Sequence, residues 1–100
     1  MVRHIILWKI KEDIDETEKQ KIKLEVKENL EGLLGEIDGL KEIKVQTDAL
    51  SSSNADLMLN SLFDSEEALK AYAVHPAHVK VADENVRPFM QVRMCLDFKE

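Results

Sequence analysis

Residues Val2–Ile10 are apolar on both faces of an extended chain, and no other segment constrains the fold as tightly. Side chains alternate along a strand. Val2, His4, Ile6, Trp8 and Ile10 therefore share one side, and Ile5 and Leu7 lie on the other. Such a strand belongs in the middle of a sheet, with a cover on each side. The rest of the chain has to supply those covers.

The first cover follows directly. Asp15 and Glu18 form a capping-box pattern, and Ile22, Val26, Leu30, Leu33, Leu34 and Ile37 then recur at helical spacing. Gly32, Gly35 and Gly39 end this helix and open a turn. Leu40–Thr47 alternates weakly, with Glu42, Lys44 and Gln46 on its polar side, as in an edge strand protected by charge. Ser51–Asn54 is a loop. Ala55–Phe63 reads as a third strand, with Leu57, Leu59, Ser61 and Phe63 on one face. Asp64 or Ser65 caps a short helix that carries Glu66 and Glu67 in its first turn and turns Ala68, Leu69 and Tyr72 inward. Pro76 fits the first turn of a helix but not the interior of one. The helix therefore breaks at Val74–His75, and a second segment runs from Pro76 to about Val86, closed by Pro88. Met90–Phe98 is the last strand, with Met90, Val92, Met94, Leu96 and Phe98 on one face.

The order β-α-β-β-α-β, with right-handed crossovers, predicts a ferredoxin-like α+β domain. Residues 1–100 form that single domain, an antiparallel sheet with its helices on one face and the first and third strands at its centre. Helices on one face leave the other bare, yet the first and third strands carry apolar groups both ways. A bare apolar face of this size marks an interface. A homodimer packed sheet to sheet is the expected cover.

Charge narrows the partners. The net charge is −6, and lysines alternate with glutamates along the first helix, which disfavours nucleic acid and anionic membranes. No segment approaches the roughly 20 apolar residues of a membrane span. A single cysteine, Cys95, rules out an intramolecular disulfide, and the apolar run Ile5–Trp8 is too short for a secretory signal. The expected location is the cytoplasm.

The opening Met1-Val2-Arg3-His4-Ile5-Ile6-Leu7-Trp8-Lys9 and the later Tyr72-Ala73-Val74-His75-Pro76-Ala77-His78-Val79 resemble the stress-responsive dimeric A/B barrel family. Asp56-Leu57, Phe63 and Asp97-Phe98 extend the resemblance over nearly the whole chain. The family implies a ferredoxin-like fold and a dimer whose two sheets close an α/β barrel. It does not imply one activity: many members are described only as stress-responsive, and some plant members are polyketide cyclases. In those, residues matching Tyr72 and His78 form the acid–base pair of an aldol-type ring closure. Two further cyclase positions correspond here to Lys27 and Leu57, so the polyketide substrate does not carry over.

Chemistry supports the same pair as candidates. A phenol can donate to a carbonyl oxygen as charge develops there, and a neutral imidazole can take the α-proton. Tyr72 and His78 flank the break before Pro76, which can turn both into one cleft between helix and sheet, with His4, Trp8, Leu57 and His75 as candidate binding residues. The bland alternatives are a core tyrosine and histidines that cap or fix a turn. His75 and His78 are three residues apart and His4 could join them, but no metal-loop pattern accompanies them, so neither a metal nor another cofactor is expected. The glycines end a helix, so they are not a phosphate loop. The expected function is binding of a small hydrophobic or aromatic molecule. A cofactor-independent lyase or cyclase using Tyr72 and His78 is the alternative, and a related dimeric α+β barrel monooxygenase is the second.

Overall fold

A computed structural model describes all 100 residues. The chain runs β1 (Val2–Ile10), α1 (Glu16–Glu31), β2 (Leu40–Gln46), β3 (Leu57–Phe63), α2 (Glu66–Val74), α3 (Pro76–Val81) and β4 (Met90–Lys99). A π-helical turn at Ala82–Val86 and a 3-10 turn at Arg87–Phe89 lead from α3 into β4. The four strands form one antiparallel sheet in the order β2-β3-β1-β4, a ferredoxin-like arrangement with β3 and β1 at its centre.

Local chemistry sets most boundaries. The Asp15 carboxylate accepts the Glu18 amide at 2.9 Å and starts α1. The Ser65 hydroxyl does the same for α2, accepting from Ala68 N–H at 3.1 Å. Pro76 opens α3, and His75 before it is extended, as a residue preceding proline must be. Lys27 and Glu31 tie α1 to β2: the Lys27 ammonium donates to the Val45 carbonyl at 3.0 Å, and a Glu31 carboxylate oxygen accepts the Val45 amide at 2.9 Å. At the far end of the sheet, the Asp56 carboxylate accepts the Ile10 amide at 2.8 Å while the Asp56 amide donates to the Trp8 carbonyl.

The core lies between the sheet and the helices. Ile6, Trp8 and Ile10 of β1 meet Ile22, Val26 and Leu30 of α1, with Leu59, Phe63 and Tyr72 closing the other side. The structure departs from the sequence pattern at two places, the end of α1 and the start of β4. The apolar periodicity of α1 runs on to Ile37, but the helix ends at Glu31. Leu33 and Ile37 reach the core from a turn, and Leu34 is exposed. In β4 the pairing with β1 shifts register between Lys9 and Ile10, which sets Met90 opposite Ile10 on the helix side. Met90 packs against the core, while Val92, Met94, Leu96 and Phe98 line the other face beside Ile5 and Leu7.

That other face is bare in the single chain. Met94 and Leu96 are 64% and 63% exposed, and Leu7, Val92 and Phe98 are exposed beside them. The helices leave this apolar surface without a cover of its own.

Candidate functional site

A cavity of about 260 Å³ opens between the helix side of β1, the α2–α3 break and the start of β4. Its walls are mostly apolar: Ile6, Trp8, Leu30, Leu59, Leu69, Val86 and Met90 line it. Four polar side chains of the central wall, His4, Trp8, Tyr72 and His78, are drawn from three separate elements.

The break before Pro76 makes the central pair. Tyr72 ends its inward turn on α2, and His78 comes back from α3 to lie against it, with ring centroids 4.1 Å apart and planes inclined by 33°. Tyr72 is 1% exposed, and its hydroxyl is the one buried side-chain polar atom without a hydrogen-bond partner. Burial pushes its pKa well above the ordinary tyrosine value, so it stays a phenol with a proton to donate. The His78 Nδ1–H donates to the Ala73 carbonyl at 3.3 Å, which leaves Nε2 with a free lone pair. Burial lowers the His78 pKa below 6.5; the Ala73 carbonyl opposes this and the nearby Arg87 and Arg93 guanidiniums reinforce it. A neutral imidazole and a protonated phenol lie in contact at the wall of an apolar cavity, a combination chemically able to take and to give a proton.

His4 forms the floor near β4. Its Nδ1 is hydrogen-bonded to Asp97, its cross-strand neighbour, and its ring stands edge-on to Phe63 at 6.1 Å and Tyr72 at 6.3 Å. The Cys95 Sγ lies 3.9 Å from the same nitrogen and 3.5 Å from the Asp97 carboxylate.

Two expected wall residues stand outside the cavity. His75 is extended ahead of Pro76, so its ring folds over the start of α3, where Nδ1 accepts the Ala77 amide at 3.1 Å. It is a helix cap. Leu57 is 2% exposed at the opposite end of β3, across from Trp8, and Leu59 lines the cavity in its place. Lys27 is likewise spent on β2. The three histidines do not converge as metal ligands: His75 is committed to its cap and His78 to Ala73.

Arg87, Gln91 and Arg93 also line the cavity, although nothing in the sequence patterns singled them out. For Gln91 and Arg93 the signal lay in the strand pairing, whereas Arg87 comes from the turn before β4. Once β4 lies antiparallel to β1, the residues alternating with Val92 and Met94 must face the helix side. Arg87 is held by Asp83 at 2.5 Å, one helical turn back, while Arg93 brings a second guanidinium to the β4 wall. No helix is long and apolar enough to cross a membrane.

Known proteins share this fold. Residues 2–100 match the stress responsive A/B barrel domain. A stress-response A/B barrel domain-containing protein of Arabidopsis thaliana is 33% identical over 100 residues, a match that covers 98% of this chain and 36% of that protein. The chain thus spans little more than a third of that relative's length. A dimeric protein of unknown function with a ferredoxin-like fold from Bacteroides fragilis superposes with a TM-score of 0.92 at 30% identity, covering 99% of this chain and 95% of its own. The hydroxynitrile lyase of Passiflora edulis shares the fold, with a TM-score of 0.70 at 21% identity over 97% of this chain and 90% of its own. From the profile match, the Arabidopsis relative and the fold together, the chain belongs to the stress-responsive A/B barrel family.

Proposed function

We propose that this chain binds a small, largely apolar molecule with an anionic or carbonyl oxygen in the cavity under the α2–α3 break, and that it works as a cytoplasmic homodimer. The observation that carries the reading is the cavity's composition: apolar walls with a few convergent polar groups, among them two guanidiniums, are the usual make-up of a small-ligand site. An aromatic carboxylate fits these terms, its ring against Trp8 and Leu59 and its charge towards Arg93. The homodimer rests on the exposed Met94 and Leu96 of the bare sheet face and on the dimeric state of the Bacteroides fragilis neighbour.

A second reading adds chemistry at the same place: proton abstraction next to a carbonyl, of the lyase or cyclase kind. It is favoured by the pairing of a neutral His78, whose Nε2 is free, with a Tyr72 hydroxyl that has no other partner.

Amide NMR during titration with benzoate, cinnamate and phenylacetone tests the first reading. Saturable shifts at Trp8, Tyr72, Ala73 and Arg93, weakened in Arg93→Ala, are expected. Their absence in a folded protein would sink the binding proposal for this ligand class. The second reading is read separately, as deuterium exchange at the α-carbon of bound phenylacetone in heavy water. Exchange that survives in both His78→Ala and Tyr72→Phe excludes the acid–base pair.

A further inference from the structure

The strands β1 and β4 bring the cavity-floor histidine His4 together with two side chains outside the cavity, Cys95 and Asp97. His4 and Asp97 are direct cross-strand partners, and Cys95 precedes Asp97 by two, so all three face the helix side of the sheet. The helices do not cover β4 there: Cys95 is exposed and the Asp97 side chain is 41% exposed, while the His4 side chain is 10% exposed. We propose that His4, Cys95 and Asp97 form a three-ligand seat for a zinc-type divalent cation, through Nδ1, Sγ and a carboxylate oxygen, with a fourth position open to the adjoining recess.

The three ligand atoms all lie within 4.8 Å of one another. Sγ sits 3.9 Å from Nδ1 and 3.5 Å from Oδ1. The edges of a tetrahedral site with Zn–N and Zn–O of about 2.0 Å and Zn–S of about 2.3 Å are roughly 3.3–3.6 Å long. Two of the three edges therefore stand close to their final lengths. The third, Nδ1 to Asp97, is closed by a hydrogen bond, in which a proton occupies the place a cation would take. Binding the ion moves the Nδ1 proton to Nε2, releases the thiol proton to solvent, and turns the partly exposed Asp97 carboxylate to open that edge.

The obvious rival is a nucleophile–base–carboxylate triad, and the geometry excludes it. In a triad the thiol and the carboxylate sit on opposite nitrogens of the imidazole. Here both approach Nδ1. Once the two protons that now bridge them are released, these three donors point at one place and can share a cation.

The donor set also selects the metal. A thiolate beside an imidazole favours zinc-like ions over magnesium or calcium, which take oxygen ligands. One thiolate and one carboxylate balance a dication. The open side is a recess of about 500 Å³ that also holds Lys70, Arg93 and Lys99. These cations reduce affinity for the bare ion and favour water or an anion as the fourth ligand. Lys99 is already partnered by Glu66 at 3.6 Å. His4 and Arg93 line both this recess and the apolar cavity, so the two sites share a wall.

The test uses untagged protein, reduced and freed of metal by chelation, then titrated with Co²⁺ and, in equilibrium dialysis, with Zn²⁺. One ion per chain and a thiolate-to-cobalt charge-transfer band with tetrahedral visible absorbance are expected. Cys95→Ser removes the band and weakens binding at least about tenfold, and Asp97→Asn weakens it comparably. His75→Ala, at a histidine outside the seat, leaves both unchanged. Circular dichroism confirms that each variant is folded, and Asp97→Asn serves if Cys95→Ser is not. Failure to retain Zn²⁺ at micromolar free metal overturns the proposal. So does an affinity that neither Cys95→Ser nor Asp97→Asn changes.

Discussion

Tyr72 and His78 illustrate how much a single residue can set. Leaving a buried hydroxyl unpaired costs about 1–3 kcal/mol, so Tyr72 lowers stability unless a ligand completes its hydrogen bond. Tyr72→Phe is therefore expected to raise stability by about 1 kcal/mol, a gain of roughly 4–8 °C in Tm for a chain of this size. Differential scanning calorimetry checks it, and a lowered Tm would mean that the hydroxyl is partnered in solution. His78 makes a matching prediction in pH. Its folded-state pKa lies below 6.5, so between the two values the unfolded chain binds more protons. The contribution to stability is full above pH 6.5, declines as pH falls towards the folded value and is level below it. A ring-proton NMR titration with its midpoint at or above 6.5 would contradict this. At this scale the sequence was legible where chemistry is local: Tyr72 and His78 announce themselves around Pro76. Arg93, Cys95 and Asp97 do not, because their meaning depends on β4 lying beside β1, a pairing between residues more than 80 positions apart.

At the scale of elements, two glycines separate backbone strain from packing. Gly35 (φ +90°) and Gly39 (φ +85°) both occupy conformations that side chains rarely adopt. A Cβ on Gly35 would meet nothing within 4 Å, whereas on Gly39 it would fall 2.6 Å from the Ala68 Cβ, where the entry to β2 passes under α2. Gly35→Ala should cost about 1 kcal/mol, and Gly39→Ala about 2–4 kcal/mol because overpacking adds to strain. Urea unfolding measures both. In an Ala68→Gly background the added cost of Gly39→Ala should disappear, and equal costs for the two glycine variants would refute the close contact. Caps and the proline break were readable because their signals span three or four residues, as Asp15, Ser65 and Pro76 show. The end of α1 was not. Apolar spacing continues through Leu33, Leu34 and Ile37 after the helix stops, and Gly32 retains helical geometry. The register shift near Met90 is also silent in the sequence, since a strict two-residue alternation carries no mark of an extra residue.

For the whole molecule, the decisive feature is a sheet with helices on one side only. The ferredoxin-like order followed from the sequence of patterns, because few topologies satisfy right-handed crossovers with four strands and short connections. The bare face follows from that topology, and the proposed homodimer would cover it. Leu7, Met94 and Leu96 project from adjacent strands, while Arg3 at its margin is already paired with Glu42 and Glu100. An apolar centre with internally neutralised charge at the edge suits an isologous contact between two copies, where each patch meets its own image across a two-fold axis. Burying about 800 Å² on each partner would give a stable dimer. Leu96→Glu puts a carboxylate from each copy into the apolar patch, and the dimer should dissociate at concentrations where the parent chain remains associated. Sedimentation velocity resolves the two states. Because the ligand cavity lies on the opposite face of the sheet, the monomeric variant should keep its fold and its NMR shifts with benzoate. A parent chain that sediments as a monomer at tens of micromolar would refute the sheet-to-sheet dimer. Loss of the benzoate shifts on dissociation would instead show that the cavity depends on the partner for its shape.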